Sequence, residues 1–274
     1  MKGPAIEHLE RLDEELREAA RRGNAKSLRS LLSQGAGVAS ISADGWTTLM
    51  LATTSRKAAC LKLLLPLVDP TRRTRTGTTA LMIAAGMGWS EGVALLLAAI
   101  ESRPGGSRHL RLAPTLRDGS GRTPLILAAQ ARSIECVRLL LPASDPNACD
   151  ADRRTALMWA AEGADAQSVD CLNELLPTSD AGKRDRRGRT ALLLAASVGS
   201  PAAVDVLLPF SDLSDVDKAG RSAFDIALGR GDKNGEAVRQ ILRRALAEKE
   251  GSAIAALLTT NEPVVCEALR PRSL

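Results

Sequence analysis

The chain has no tyrosine, and only two phenylalanines and three tryptophans among its 274 residues. A core without aromatic mass must be filled by Leu, Ala, Val and Ile. That composition favours helix over sheet, because strands enrich in aromatic and β-branched side chains. Two histidines, His8 and His109, lie outside the patterned part of the sequence, which disfavours a histidine-based catalytic centre or zinc site. No apolar run approaches the ~18 residues that span a bilayer. The first fifteen residues are broken by Glu7, Glu10, Asp13 and Glu14, so they hold no signal-peptide core. The last five, from Arg270 to Leu274, carry no prenylation cysteine. The expectation is a folded cytoplasmic chain without membrane contact.

What is present is a repeat. Thr47-Thr48-Leu49-Met50 returns as Thr79-Ala80-Leu81-Met82, Thr123-Pro124-Leu125-Ile126, Thr155-Ala156-Leu157-Met158 and Thr190-Ala191-Leu192-Leu193. Ser222-Ala223-Phe224-Asp225 is a degenerate sixth copy. The spacings are 32, 44, 32, 35 and 32, so the period is 32, with twelve extra residues in the second interval and three in the fourth. A small pair follows in most copies, as in Ala84-Ala85, Ala128-Ala129, Ala160-Ala161 and Ala195-Ala196. A second apolar stretch then ends in leucines, with Pro66, Pro142, Pro177 or Pro209 behind it in four copies. The pattern predicts two short helices per unit. The threonine caps the first helix, the alanine pair lets it pack closely, and the proline ends the second. Neither helix pair can bury its apolar face alone, so stacked units share one core.

The sequence resembles the ankyrin repeat, whose motif is a turn, then Thr-Pro-Leu-His, then a helix pair. Residues 118–147 match best, with Gly121, Thr123, Pro124, Leu125, Ala128 and Ala129. The family's histidine is replaced by Met50, Met82, Ile126, Met158, Leu193 and Asp225. The resemblance implies an all-α solenoid of helix-turn-helix units with short projecting turns. The expected organisation is an N-terminal capping helix pair in 1–40 and tandem repeats in 41–235, five good and one degenerate. An exposed, mobile inserted loop is expected at about 101–116, a capping helix at 236–248, and a short helix with a tail in 249–274.

Several signals of chemistry have plainer readings. Cys60, Cys136 and Cys171 each stand six residues before a closing proline, on the apolar face of the second helix. They read as small buried hydrophobes. Repeats ~10 Å apart are too distant for a disulfide, and Cys149 and Cys266 have no partner at ligand spacing. The calcium-loop-like start at Asp215 and Asp217 fails at Ala219 and Ile226, where ligands are needed. Arg230-Gly231-Asp232 falls in an inter-helix turn, where Gly and Asp are expected in any case. Gly105-Gly106 lacks a phosphate-loop lysine. Trp89 reads as a packing residue, Trp159 as core or groove floor, and Trp46 as an exposed aromatic anchor.

Charge is unevenly placed. Segments 71–78, 101–117 and 183–189 are strongly basic, whereas the chain outside the turns and the insertion is net acidic. The ankyrin resemblance implies a non-enzymatic scaffold with no cofactor, monomeric, binding a protein partner along the concave edge of turns and first helices. The basic turns suit an acidic partner. Carried over, the recognition positions are Trp46, Arg75, Arg122, Gln130, Arg154, Glu162, Arg186, Arg187 and Arg189. An aromatic sub-site near Trp46 and an arginine patch over 186–189 are expected. Nucleic-acid binding through the basic edge is a second reading, although the turns lack aromatics for base stacking. A secreted effector directed at a host protein is a third.

Overall fold

The computed structural model describes residues 4–102 and 116–260. Helices α1 (Pro4–Arg22) and α2 (Ala25–Ser33) form the first pair. Then come α3 (Thr48–Thr54) with α4 (Ala58–Leu64), and α5 (Ala80–Gly86) with α6 (Ser90–Glu101). Next are α7 (Pro124–Gln130) with α8 (Ile134–Leu140), and α9 (Ala156–Ala161) with α10 (Ala166–Leu175). The last pairs are α11 (Ala191–Val198) with α12 (Pro201–Leu207), and α13 (Ala223–Leu228) with α14 (Lys233–Thr260). Odd-numbered helices stack on one another in one row and even-numbered helices in a second, so the main packing joins neighbours.

Local chemistry starts five of the first helices where the sequence predicts. The hydroxyls of Thr47, Thr79, Thr123 and Thr155 accept the backbone N–H of Met50, Met82, Ile126 and Met158. Ser222 and Asp225 cap each other's backbone reciprocally at α13. Second helices α8, α10 and α12 are capped by Ser133, Asp165 and Ser200. They end at Leu140, Leu175 and Leu207 and tighten into 3-10 turns holding Pro142, Pro177 and Pro209. Proline fits there because it removes an N–H from a position that makes no helical bond.

The core is one continuous strip. Ala84, Ala85, Ala128, Ala129, Ala160, Ala161, Ala195 and Ala196 are fully buried, and so are Leu61, Leu96, Leu140, Leu172 and Leu207 from the second row. The alanines bring the rows together and the leucines fill between them. Trp89 is buried against α6 and lies over Gly92, where even a Cβ would sit 2.2 Å from its ring. That contact explains a glycine inside a helix, a placement that otherwise costs about 1 kcal/mol.

The two insertions are handled differently. The three extra residues of the fourth interval lengthen α10 to ten residues, against seven in α8. Part of the twelve-residue insertion extends α6 to Glu101, burying Ile100. The rest of the expected loop, with Gly105-Gly106, Arg103, Arg108, His109 and Arg111, lies outside the described residues, as does the tail beyond Thr260 with Cys266. At the C-terminal end, 236–248 and the expected short helix at 252–259 are one helix, α14, not two. The single glycine between them, Gly251, weakens a helix by only about 1 kcal/mol and does not interrupt it. Among the described residues no helix is long and apolar enough to cross a membrane.

Candidate protein-binding edge

Between each second helix and the next first helix the chain makes the same five-residue projection, here called a finger: 42–46, 74–78, 118–122, 150–154, 185–189 and 217–221. In each, the first residue's N–H donates to the fifth residue's carbonyl and the fourth N–H donates to the first carbonyl, all at 2.8–3.0 Å. Adjacent fingers are also bonded. Arg75 N–H donates to Asp44 O, Gly119 to Thr76 O, Ala151 to Ser120 O, Arg186 to Asp152 O and Lys218 to Arg187 O. The fingers therefore form one continuous, rigid edge. The fourth residue needs positive φ; it is Gly45, Gly77, Gly121, Gly188 and Gly220 in five fingers, and Arg153 (φ 62°) in the other.

An aspartate organises the later fingers. Asp118 Oδ1 accepts the N–H of Ser120 and Arg122, and Asp185 Oδ1 those of Arg187 and Arg189. Asp217 Oδ1 accepts those of Ala219 and Arg221. In all three the second oxygen takes the guanidinium of the fifth residue, at 2.7–3.0 Å. Burial pushes the Asp185 carboxyl up, but the backbone and guanidinium donors of Arg189 and the N–H of Arg187 outweigh it, so it titrates below the usual carboxylate range. Arg221 holds Asp217 low in the same way, through its side chain first.

These contacts sort the nine expected recognition residues. Arg122 and Arg189 are tied to Asp118 and Asp185; the Arg189 side chain is only 13% exposed. Arg122 also reaches exposed Gln130, at 3.4 Å. Arg154 pairs with Glu162 at 2.8 Å and lies 4.8 Å from the centroid of the Trp159 ring. Trp159 in turn donates from Nε1 to Asp150 Oδ2, occupying the oxygen that binds arginine in other fingers. Trp46 is half-buried against the core, so the exposed aromatic anchor expected from its turn position is not seen. Packing against the core leaves the residue only partly exposed. Arg75 and Arg187 are exposed and their side chains engage no partner among the described residues. Arg186 is largely exposed, its Nε 4.0 Å from Asp152.

The arginine patch expected over 186–189 is therefore smaller than its charge. Arg189 neutralises the Asp185 that shapes its own finger, leaving Arg186 and Arg187, with Lys218 exposed on the next finger. The Asp150–Trp159 bond escaped the sequence reading. Its only trace was an aspartate nine residues before a tryptophan on the exposed side of a short helix. Arg73, Arg117 and Arg184 were missed as well. Each precedes a finger and donates both to a carbonyl of its own finger and to one just before the next finger.

The other sequence signals resolve into structure. Cys60, Cys136 and Cys171 are free thiols buried in the second row. Burial pushes the Cys171 thiol up to about 11. Asp215 and Asp217 are paired with Arg184 and Arg221. Arg230 is turned onto Ser197 O and Asp232 of its own tripeptide, so the Arg-Gly-Asp segment is closed on itself.

A family model described as ankyrin repeats (3 copies) matches residues 16–104, 108–176 and 163–250. The chain belongs to the ankyrin-repeat family. Among solved structures it is similar to the human ASB11 ankyrin repeat domain, with a TM-score of 0.67 and 24% identity. That alignment covers 84% of this chain and 96% of the other. At this identity the likeness concerns the fold alone. No curated protein matches the sequence. Ankyrin repeats generally act as protein–protein interaction modules.

Proposed function

We propose that this ankyrin-repeat chain is a non-enzymatic, monomeric cytoplasmic scaffold that binds a protein partner with an acidic surface along its finger edge. The observation that carries this reading is the division of the edge arginines into two groups. Arg122, Arg154 and Arg189 are neutralised by carboxylates of the array, whereas Arg75, Arg186 and Arg187 project without such a contact at hydrogen-bonding distance. Uncommitted guanidiniums on a rigid edge attract acidic groups over long range and grip them as bidentate forks at short range. Preorganisation of the fingers by their mutual hydrogen bonds keeps the ordering cost of association low.

The test is affinity capture with the full chain from its native source, with and without nuclease, read by mass spectrometry. The expected result is a nuclease-insensitive protein that is released by salt and not retained by an Arg186→Glu, Arg187→Glu variant. Retention of nucleic acid alone, lost on nuclease treatment, would replace this reading with nucleic-acid binding.

A further inference from the structure

The sixth repeat leaves its outer face bare. In the five repeats before it, the residues two and six positions after the cap, such as Leu192 and Ala196 after Thr190, are all 1% exposed or less. In the sixth, after Ser222, they are Phe224, which is half-buried, and Leu228, which is 58% exposed. Arg243 lies over the Phe224 ring, 5.4 Å from its centroid.

The last helix runs on past this face. α14 has 28 residues, against seven to twelve in the other second helices. Leu242 is buried, and Lys249 still reaches Asp212 at 3.7 Å. From there to Thr260 the helix continues for about 16 Å. Residues 253–258 are Ala-Ile-Ala-Ala-Leu-Leu, a run with no polar side. A helix that is apolar all round belongs in a core.

The sequence from Ser252 onwards keeps the register of the repeat. Ser252-Ala253-Ile254 follows the pattern of Ser222-Ala223-Phe224. Pro271 stands 19 residues after Ser252, as Pro66, Pro142 and Pro209 stand 19 after Thr47, Thr123 and Thr190. Asn261 matches Arg132 and Gly199, both at positive φ, which asparagine tolerates well. Pro263 matches Pro201, the first residue of α12. Val265, Cys266 and Leu269 match Cys136, Val137 and Leu140, all fully buried. Leu257-Leu258 replaces the small pair, a change that suits a terminal unit with no further neighbour to approach.

We propose that residues 252–271 are a seventh helix pair, which parts from α14 at Gly251 and docks on the Phe224 and Leu228 face of its own chain. Glycine is the residue at which a helix most readily gives way short of proline. Docking removes the apolar run at 253–258 from water and covers Leu228. Nine residues separate Leu242 from Ser252, against fourteen between Leu207 and Ser222; the difference of five is the length of one finger. The pair therefore closes the stack without lengthening the finger edge, and its failure would leave the acidic-partner reading standing.

The experiment is pulse labelling of the full chain with N-ethylmaleimide, with each cysteine's rate read by mass spectrometry. Cys266 is expected to react at least about tenfold more slowly in the native chain than in the urea-unfolded chain. Leu228→Glu on the face and Leu269→Glu on the tail should each restore the unfolded rate at Cys266, while Cys60, Cys136 and Cys171 stay protected. That continued protection shows that the array remains folded in both variants. A native Cys266 that reacts at the unfolded rate overturns the proposal, as does protection that survives both substitutions. Protection that fades on dilution would place the segment on a second copy and overturn docking within one chain.

Discussion

At the residue scale, the finger makes two demands that this chain meets unequally. Its fourth position is left-handed, and Arg153 holds it where five glycines hold it elsewhere. A left-handed L-residue costs about 1–2 kcal/mol, of which glycine's extra freedom in the unfolded chain returns about 0.5–1. Arg153→Gly should therefore stabilise the protein by roughly 0.5–1 kcal/mol in urea denaturation; loss of stability would show that the arginine makes a compensating contact. The reverse change at Gly121 is expected to destabilise, since a Cβ there meets Ala151 N at 2.9 Å. The second demand is an ionised aspartate. Asp185 and Asp217 titrate below the ordinary range in the folded state. Their contribution is thus full above the unfolded value of about 3.9 and is lost as pH falls through the lower folded values. Stability followed from pH 7 downwards should decline below about pH 4, and Asp185→Asn should flatten part of that decline while lowering stability at pH 7. A wild-type curve independent of pH down to 2 would contradict the assignment.

At the element scale, the threonine repeat made the first helices legible, because capping hydroxyl, alanine pair and leucines each have one physical role. What it concealed was the exception. Thr190 begins α11 without a side-chain cap bond, and its hydroxyl is buried without a partner. Thr155→Val should therefore cost about 1 kcal/mol as a lost cap, while Thr190→Val should be neutral or stabilising, because it removes an unsatisfied buried group. Equal losses on thermal melting would mean that Thr190 caps its helix in solution. The site was less legible than the fold for a related reason. A sequence counts arginines but does not say which are neutralised by a neighbour. Arg122 and Arg189 stand four residues after an aspartate, and the turn brings the pair together. The same spacing at Asp150 and Arg154 gives no such pair, since Trp159 takes the Asp150 oxygen. Trp46 illustrates the other failure: its position on a turn suggested full exposure, and partial packing against the core reduces it.

At the scale of the whole molecule, stability is local because the main packing runs between adjacent repeats. Deleting everything after Pro209 removes α13 and α14 and leaves the stacking of α1 to α12 largely intact. The truncated chain should remain soluble and partly helical by circular dichroism; complete unfolding would show that α14 holds the array as a unit. The proposed recognition follows the same plan: an edge whose shape is fixed by repeat physics, with specificity assigned to the few side chains that the array does not itself use. The most direct test of that account is the association rate of the captured partner at low salt with wild type and with the Arg186→Glu, Arg187→Glu variant. The account predicts association at least about tenfold slower in the variant, converging with wild type at high salt, and an unchanged melting temperature. An association rate unaffected by this double reversal at low salt would contradict it.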